Sequence, residues 1–160
     1  MKKSLVAAAL FVSSLHTARA ESNESAWDKL KSIVGTWQGT MSGQPAHVTY
    51  QMVSSGTAMM ETIEGPDATQ MVTIYHPDGN SLLMTHYCSM GNQPRMRATA
   101  LQDGKLAFTY VDAANLKSPE ADRMSGLVLT FPDSDHLVQE WTMSGGGKKE
   151  LDRFEFTRKK

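Results

Sequence analysis

The sequence predicts an all-β fold, a closed or nearly closed antiparallel up-and-down barrel of about ten strands with a short N-terminal helix. From residue 35 onward, apolar and polar residues alternate with a period of two, which is typical of strands with one buried and one exposed face. Turn-forming residues interrupt this alternation at regular intervals, as in antiparallel barrels. Closing such a sheet removes its edges and encloses an interior.

The first predicted element is a helix within residues 22–35. Trp27, Leu30 and Ile33 recur at helical spacing, and Gly35 is a residue that commonly ends helices. We expect this short helix to pack as a lid or plug on the domain that follows.

The strands follow in chain order, each bounded by residues that favour turns. The predicted strands cover residues 35–42, 45–54, 57–64, 69–76, 81–88, 94–102, 105–112, 124–131, 136–143 and 149–157. The turn signals include Ser55-Gly56, Pro77-Asp78-Gly79-Asn80, Gln102-Asp103-Gly104, Pro132-Asp133-Ser134-Asp135 and Gly145-Gly146-Gly147. The longer connection 112–124 is a candidate for a helical turn or a lid.

The turn at residues 77–80 sets the strand register, and this register determines which side chains lie on the same face as His86 and Cys88. A turn of four residues pairs Met71 with His86 on the neighbouring strand. His86 then shares one face with Met71, Met84 and Cys88, because alternate residues of a strand lie on the same side. This face is the more apolar one, so we expect it inside the barrel.

Residues 1–20 have the pattern of a cleavable secretory signal. Lys2 and Lys3 precede a short apolar run that ends in Ala18-Arg19-Ala20. The run is shorter than the roughly 20 residues that a membrane span needs. We therefore expect an exported protein, periplasmic or secreted, whose residues 21–160 form a single barrel domain without a membrane span.

The net charge and the cysteine content exclude further classes of partner and of covalent cross-link. The formal net charge is −1, and it becomes −4 once Lys2, Lys3 and Arg19 are removed with the leader. The remaining basic residues form no stripe, which excludes nucleic acid as an expected partner. Cys88 is the single cysteine, so the chain has no internal disulfide.

Two segments resemble known proteins. "LKSIVGTWQGTM", residues 30–41, resembles the start of the calycin barrels: lipocalins, fatty-acid-binding proteins and nitrobindin-like haem proteins. The resemblance implies that Trp37 packs at the closed end, with Arg158 or Arg153 lying across it. "YHPDGNSLLMTHYC" and "NQPRM", within residues 75–96, resemble a group of exported bacterial proteins of unknown function that share this barrel plan.

The calycin resemblance implies a central cavity and, most often, a small apolar ligand. Resemblance to nitrobindin implies haem held by a histidine on a late strand or its adjoining loop. His136 is the only late histidine, and alternation places it on the outward face. His86, on the inward face, is the better-placed haem ligand of the two.

The predicted function is binding of a small apolar or amphipathic molecule with a polar or anionic head group, and no cofactor is expected. Apolar cavities with a few polar groups are typical of such sites, and methionines let the wall adapt. The predicted cavity residues are Met71, Met84, His86, Cys88, Phe108, Tyr110 and Trp141. The predicted head-group contacts are Asn92, Gln93 and Arg95.

Other functions remain open. The main alternative is a haem or soft-metal protein that uses His86, with Cys88 as a second ligand of the metal. Catalysis by Cys88 lacks a recognisable orienting acid, and Glu61 and Glu140 have no neighbouring carboxylate, so an enzyme is not the expected class. A barrel with a filled interior that binds another protein is a further alternative.

Overall fold

The computed structural model describes residues 23–41, 43–65 and 70–160, so the predicted signal peptide lies outside the described residues. One helix, α1 (Asn23–Lys31), comes first. The strands that follow are β1 (Gly35–Met41), β2 (Gln44–Val53), β3 (Ala58–Glu64), β4 (Gln70–Asp78), β5 (Ser81–Tyr87), β6 (Gln93–Ala98), β7 (Leu101–Gln102), β8 (Lys105–Ala114), β9 (Arg123–Thr130), β10 (His136–Gly145) and β11 (Lys148–Arg158).

The strands form a closed antiparallel barrel, which confirms the predicted fold class. Consecutive strands pair from β1 to β6 and from β8 to β11, β1 pairs with β11, and β6 pairs with β8 to complete the ring. The barrel thus has ten strands, and the two-residue β7 is an extra strand. The predicted strand 94–102 is divided, because Leu101 turns to pair with Leu106 at the start of β8.

Helix α1 closes one end of the barrel, as the sequence predicts. It buries Ala26 and Leu30, and it contacts β5 and β7. Below it, the Trp37 indole donates a 2.9 Å hydrogen bond to the Ile33 carbonyl. The Arg158 guanidinium lies 4.3 Å from the Trp37 ring centroid, in the arrangement that the calycin resemblance implies. Among the residues that the structure describes, no helix has the length and apolarity needed to cross a membrane.

The half of the interior next to α1 is filled with side chains. Fully buried apolar residues from most strands meet there: Trp37, Val48, Met59, Leu82, Met84, Met96, Leu106, Phe108, Leu129, Leu137 and Phe156. Close packing of this kind stabilises the barrel through burial of apolar surface. The pocket that reaches the interior side chains His86 and Trp141 lies toward the opposite end.

The β4–β5 hairpin has a different register from the predicted one. Asp78 pairs with Ser81, so the turn contains two residues, not four. Gly79 supplies the positive φ, 57°, that a two-residue turn needs at its first position. Thr73, not Met71, therefore lies opposite His86. The predicted register was wrong by two residues, and because this shift is even, every side chain keeps its predicted face.

Candidate functional site

A pocket of about 210 Å³ opens at the end of the barrel opposite α1. Its lining comes from strand ends: Met41 ends β1, Ile63 is near the end of β3, and Met71 is near the start of β4. Met124 and Met143 contribute from the start of β9 and the end of β10. Because the strands are antiparallel, these ends meet at one rim.

The wall of this pocket is mostly apolar and rich in sulfur. The apolar lining is Met41, Met71, Met90, Met124, Met143, Ile63, Trp141 and Phe154. The remaining lining residues are His86, Cys88, Ser89 and Asp152. Methionine side chains are flexible and polarizable, so such a wall can adapt its shape to a ligand.

His86 is the buried polar side chain of the wall. It is 1% exposed, and its ring centroid lies 4.7 Å from that of Trp141. Its Nδ1 is 2.9 Å from Oγ1 of Thr73. Its Nε2 is buried and has no hydrogen-bond partner among the described residues. Burial lowers the pKa of His86 to about 4, so the ring is neutral at pH 7.

A buried polar cluster centred on Glu61 lies in the middle of the barrel. Tyr50 donates a 2.6 Å hydrogen bond to one carboxylate oxygen, and Tyr75 donates a 2.8 Å bond to the other. Gln139 Nε2 donates to the first oxygen at 2.5 Å, and its own Oε1 accepts from Trp141 Nε1 at 2.9 Å. Burial raises the pKa of Glu61, and these hydrogen bonds oppose the rise.

Thr73 connects this cluster to His86. It lies opposite Glu61 on β3 and opposite His86 on β5. A hydrogen bond from its hydroxyl is one of the effects that hold down the pKa of Glu61. With the hydroxyl directed at the carboxylate, Oγ1 accepts from Nδ1–H of His86. In the tautomer in which Nδ1–H donates to Thr73, Nε2 carries the lone pair and can serve as an acceptor or a metal ligand.

Acidification is expected to destabilise the fold through His86. The unfolded chain binds the His86 proton near pH 6.5 and the folded chain near pH 4, so protonation between these values favours unfolding. The loss is about 3 kcal/mol, complete below about pH 4. The raised pKa of Glu61 has the opposite effect on stability, since it favours the folded state on acidification. Asp152 is the other acidic group that lines the pocket with His86.

Urea unfolding in EDTA, at pH values from about 4 to about 7, measures this effect. The His86→Phe variant is expected to lack the His86 component, so its curve of stability against pH is flatter than that of the wild type. His47→Phe, on the exposed face of β2, is expected to keep the wild-type dependence. Parallel curves for the wild type and His86→Phe would contradict the prediction.

The structure brings four of the predicted cavity residues together in this pocket: Met71, His86, Cys88 and Trp141. Three others do not line it. Met84 and Phe108 are buried in the filled half, and Tyr110 lies under the Arg123 guanidinium, 5.0 Å from its ring centroid.

The predicted head-group residues also lie away from the pocket lining. The Asn92 amide donates to the Asp122 carbonyl at 2.9 Å, and the Gln93 amide donates to the Gly91 carbonyl at 3.2 Å. Arg95 forms an exposed ion pair with Asp112. These side chains hold the β5–β6 turn and the outer surface, and their contacts do not favour the predicted contact with an anionic group.

Two features of the site were not predicted from the sequence: the cluster formed by Tyr50, Glu61, Tyr75 and Gln139, and the methionines Met41, Met124 and Met143 at the pocket rim. A signal for Glu61 was present, since it lies between Met59 and Ile63 on the inward face of an alternating strand. A carboxylate on that face requires buried hydrogen-bond donors.

Haem does not fit this pocket. Its volume of about 210 Å³ is below the roughly 300–1,000 Å³ typical of sites for drug-sized ligands, and haem is a large ligand. His136, the histidine that the nitrobindin resemblance points to, is exposed and bonds Asp133 at 2.8 Å. Within the described ranges, no group of three or more His, Cys, Asp and Glu side chains is placed to bind a metal.

No protein-family model matches the chain, and no curated protein matches it. The closed ten-stranded barrel is compatible with a calycin-like fold.

Proposed function

We propose that the protein is a binding protein that holds a small, mostly apolar molecule in the pocket at the open end of the barrel. A hydrogen-bond donor of the ligand bonds to Nε2 of His86. The observation that carries this proposal is the buried, unpartnered Nε2 in a pocket with an otherwise largely apolar wall. A buried acceptor left without a partner costs about 1–3 kcal/mol, which a donating ligand recovers.

The lining favours a neutral or positively charged head group over an anionic one. The charged residue of the lining is Asp152, and no Lys or Arg is present in the described lining. The neutral ring of His86 offers an acceptor, and behind it Thr73 leads to the carboxylate of Glu61. An anion would thus approach two acidic groups without a compensating cation.

The size of the pocket also restricts the ligand. A volume of about 210 Å³ suits one or two fused rings or a short branched chain, smaller than a drug-sized molecule. Export is part of this proposal, and the signal-like residues 1–20 support it.

Two probes of similar size test the role of His86. 2-Naphthol carries an O–H donor, and 2-methylnaphthalene replaces it with a methyl group. We expect 2-naphthol to bind the wild type about 10-fold more tightly in equilibrium dialysis, since one hydrogen bond contributes about 1 kcal/mol or more. His86→Leu should remove this preference and keep the apolar wall.

A histidine outside the pocket provides the matched control. His47→Leu changes the same residue types on the exposed face of β2, and it should leave the preference for 2-naphthol intact. The proposal fails if neither probe binds saturably. It also fails if His86→Leu keeps the preference of the wild type.

A further inference from the structure

Sulfur-containing side chains are concentrated at the open end of the barrel. Ten methionines follow Met1 in the sequence, and five of them line the one pocket of about 210 Å³. Met124 and Met143 lie directly opposite each other on β9 and β10. Met71 is on β4, two positions before Thr73 and on the same face.

His86 and Cys88 line the same pocket as these thioethers. The unpartnered Nε2 of His86 belongs to a ring whose other nitrogen is held by Thr73, with Glu61 behind it. In metal-ligating histidines, a hydrogen-bond partner on the other ring nitrogen commonly sets the tautomer and the ring orientation. His86 is thus oriented as metal-ligating histidines are.

The chemistry of these donors selects a class of metal. Thioether, thiol and imidazole groups favour soft ions such as copper(I), whereas Mg²⁺ and Ca²⁺ require several oxygen ligands. The side-chain oxygens of the lining are those of Ser89 and Asp152. Asp152 adds one negative charge to the pocket, which favours a cation.

We propose that this pocket binds one soft monovalent metal ion, copper(I) in its biological form, through Nε2 of His86 and methionine thioethers of the wall. The inference goes beyond the organic ligand proposed above, because it assigns a metal to the same donor atoms. The two occupants use the same space and the same nitrogen, so they are expected to compete.

Silver(I) is a suitable probe because it resembles copper(I) and is stable in air. In a protein labelled with ¹³C at the methionine methyl groups, one equivalent of silver(I) should shift the signals of pocket methionines. The lining methionines are Met41, Met71, Met90, Met124 and Met143. The internal controls, which lie elsewhere in the barrel, are Met52, Met59, Met60, Met84 and Met96.

The signals of the control methionines should stay in place at one equivalent. The proposal is overturned if no methionine signal shifts, or if the signals of the partly buried controls Met52 and Met60 and of the fully buried controls shift as much as those of the pocket residues. A shift at the pocket methionines that persists in His86→Leu would also overturn it, because Nε2 is then not a ligand.

Variants separate metal binding from binding of the organic ligand. We expect Met124→Leu/Met143→Leu to weaken copper(I) at least about 100-fold in competition with bicinchoninate under reducing conditions. Leucine keeps the apolar wall, so the double variant should still bind 2-naphthol. Met52→Leu/Met60→Leu, outside the pocket, should bind copper(I) like the wild type.

The two proposals can therefore fail independently. If copper(I) binds equally well to all these variants and 2-naphthol binding depends on His86, the metal proposal is wrong and the organic ligand stands. If copper(I) binding depends on His86 and the pocket methionines but neither naphthalene probe binds, the organic ligand is wrong and the metal site stands.

Discussion

Glu61→Leu is expected to lower the free energy of unfolding by about 3–5 kcal/mol at neutral pH. The carboxylate accepts hydrogen bonds from Tyr50, Tyr75 and Gln139 in the middle of the barrel, and all four residues are almost fully buried. Leucine fills a similar volume and removes the acceptor. Each donor left without a partner costs about 1–3 kcal/mol, which exceeds the gain from removing a buried charge. Urea unfolding measures the difference.

A rescue variant distinguishes stranded donors from poor packing. Adding Tyr75→Phe to Glu61→Leu removes one stranded donor and keeps the ring, so the double variant should be more stable than Glu61→Leu alone. Tyr50 is left in place because its hydroxyl also accepts a hydrogen bond from Gln139 Nε2. If the double variant is less stable than the single one, the hydrogen bonds are not the cause of the loss.

The cost of Glu61→Leu should also depend on pH. Because burial raises the pKa of Glu61, the folded state holds this proton more tightly than the unfolded state does. The contribution of Glu61 to stability is therefore greatest below about pH 4.5 and declines as the pH rises through its folded pKa. The stability difference between the wild type and Glu61→Leu should shrink over that range, and a constant difference would contradict this assignment.

The sequence predicts the barrel well because period-two alternation is a local property of each strand. The pairs Met84 and His86, or Leu127 and Leu129, show which side chains face inward without knowledge of any partner strand. The wrong register of the β4–β5 hairpin did not move His86 out of the interior, since a shift by two keeps the face. The face on which a side chain lies is thus predicted more reliably than the register between two strands.

The site depends on contacts that alternation does not specify. Gln139 reaches Glu61 across the barrel from a position 78 residues away, and this contact exists only once the ring has closed. Similarly, alternation does not show whether an inward residue lines the pocket or fills the core. That depends on how far the residue lies from α1. Met84 and His86 share a face of β5, but Met84 is packed in the filled half and His86 lies at the pocket.

Gly39→Ala is expected to lower the free energy of unfolding by at least about 3 kcal/mol. Gly39 lies on β1 between Gln38 and Thr40, and it pairs with Phe156 of β11 where the first and last strands of the barrel join. A Cβ at this position would be 2.1 Å from the Glu155 carbonyl oxygen and 2.7 Å from Cδ1 of Phe156. The carbonyl belongs to the backbone, so relief of the clash requires β1 and β11 to move apart.

Gly126→Ala is the matched control, because Gly126 is also a strand glycine on β9. There the nearest atoms to an added Cβ belong to Thr142 at 3.4 Å, an ordinary contact. Alanine restricts the unfolded chain more than glycine does, so this variant should be neutral or slightly more stable than the wild type. Similar losses for both variants would mean that strand entropy or general crowding, not the Glu155 carbonyl, sets the cost. A loss confined to Gly39→Ala identifies the close approach of β1 and β11 as the reason for glycine at this position.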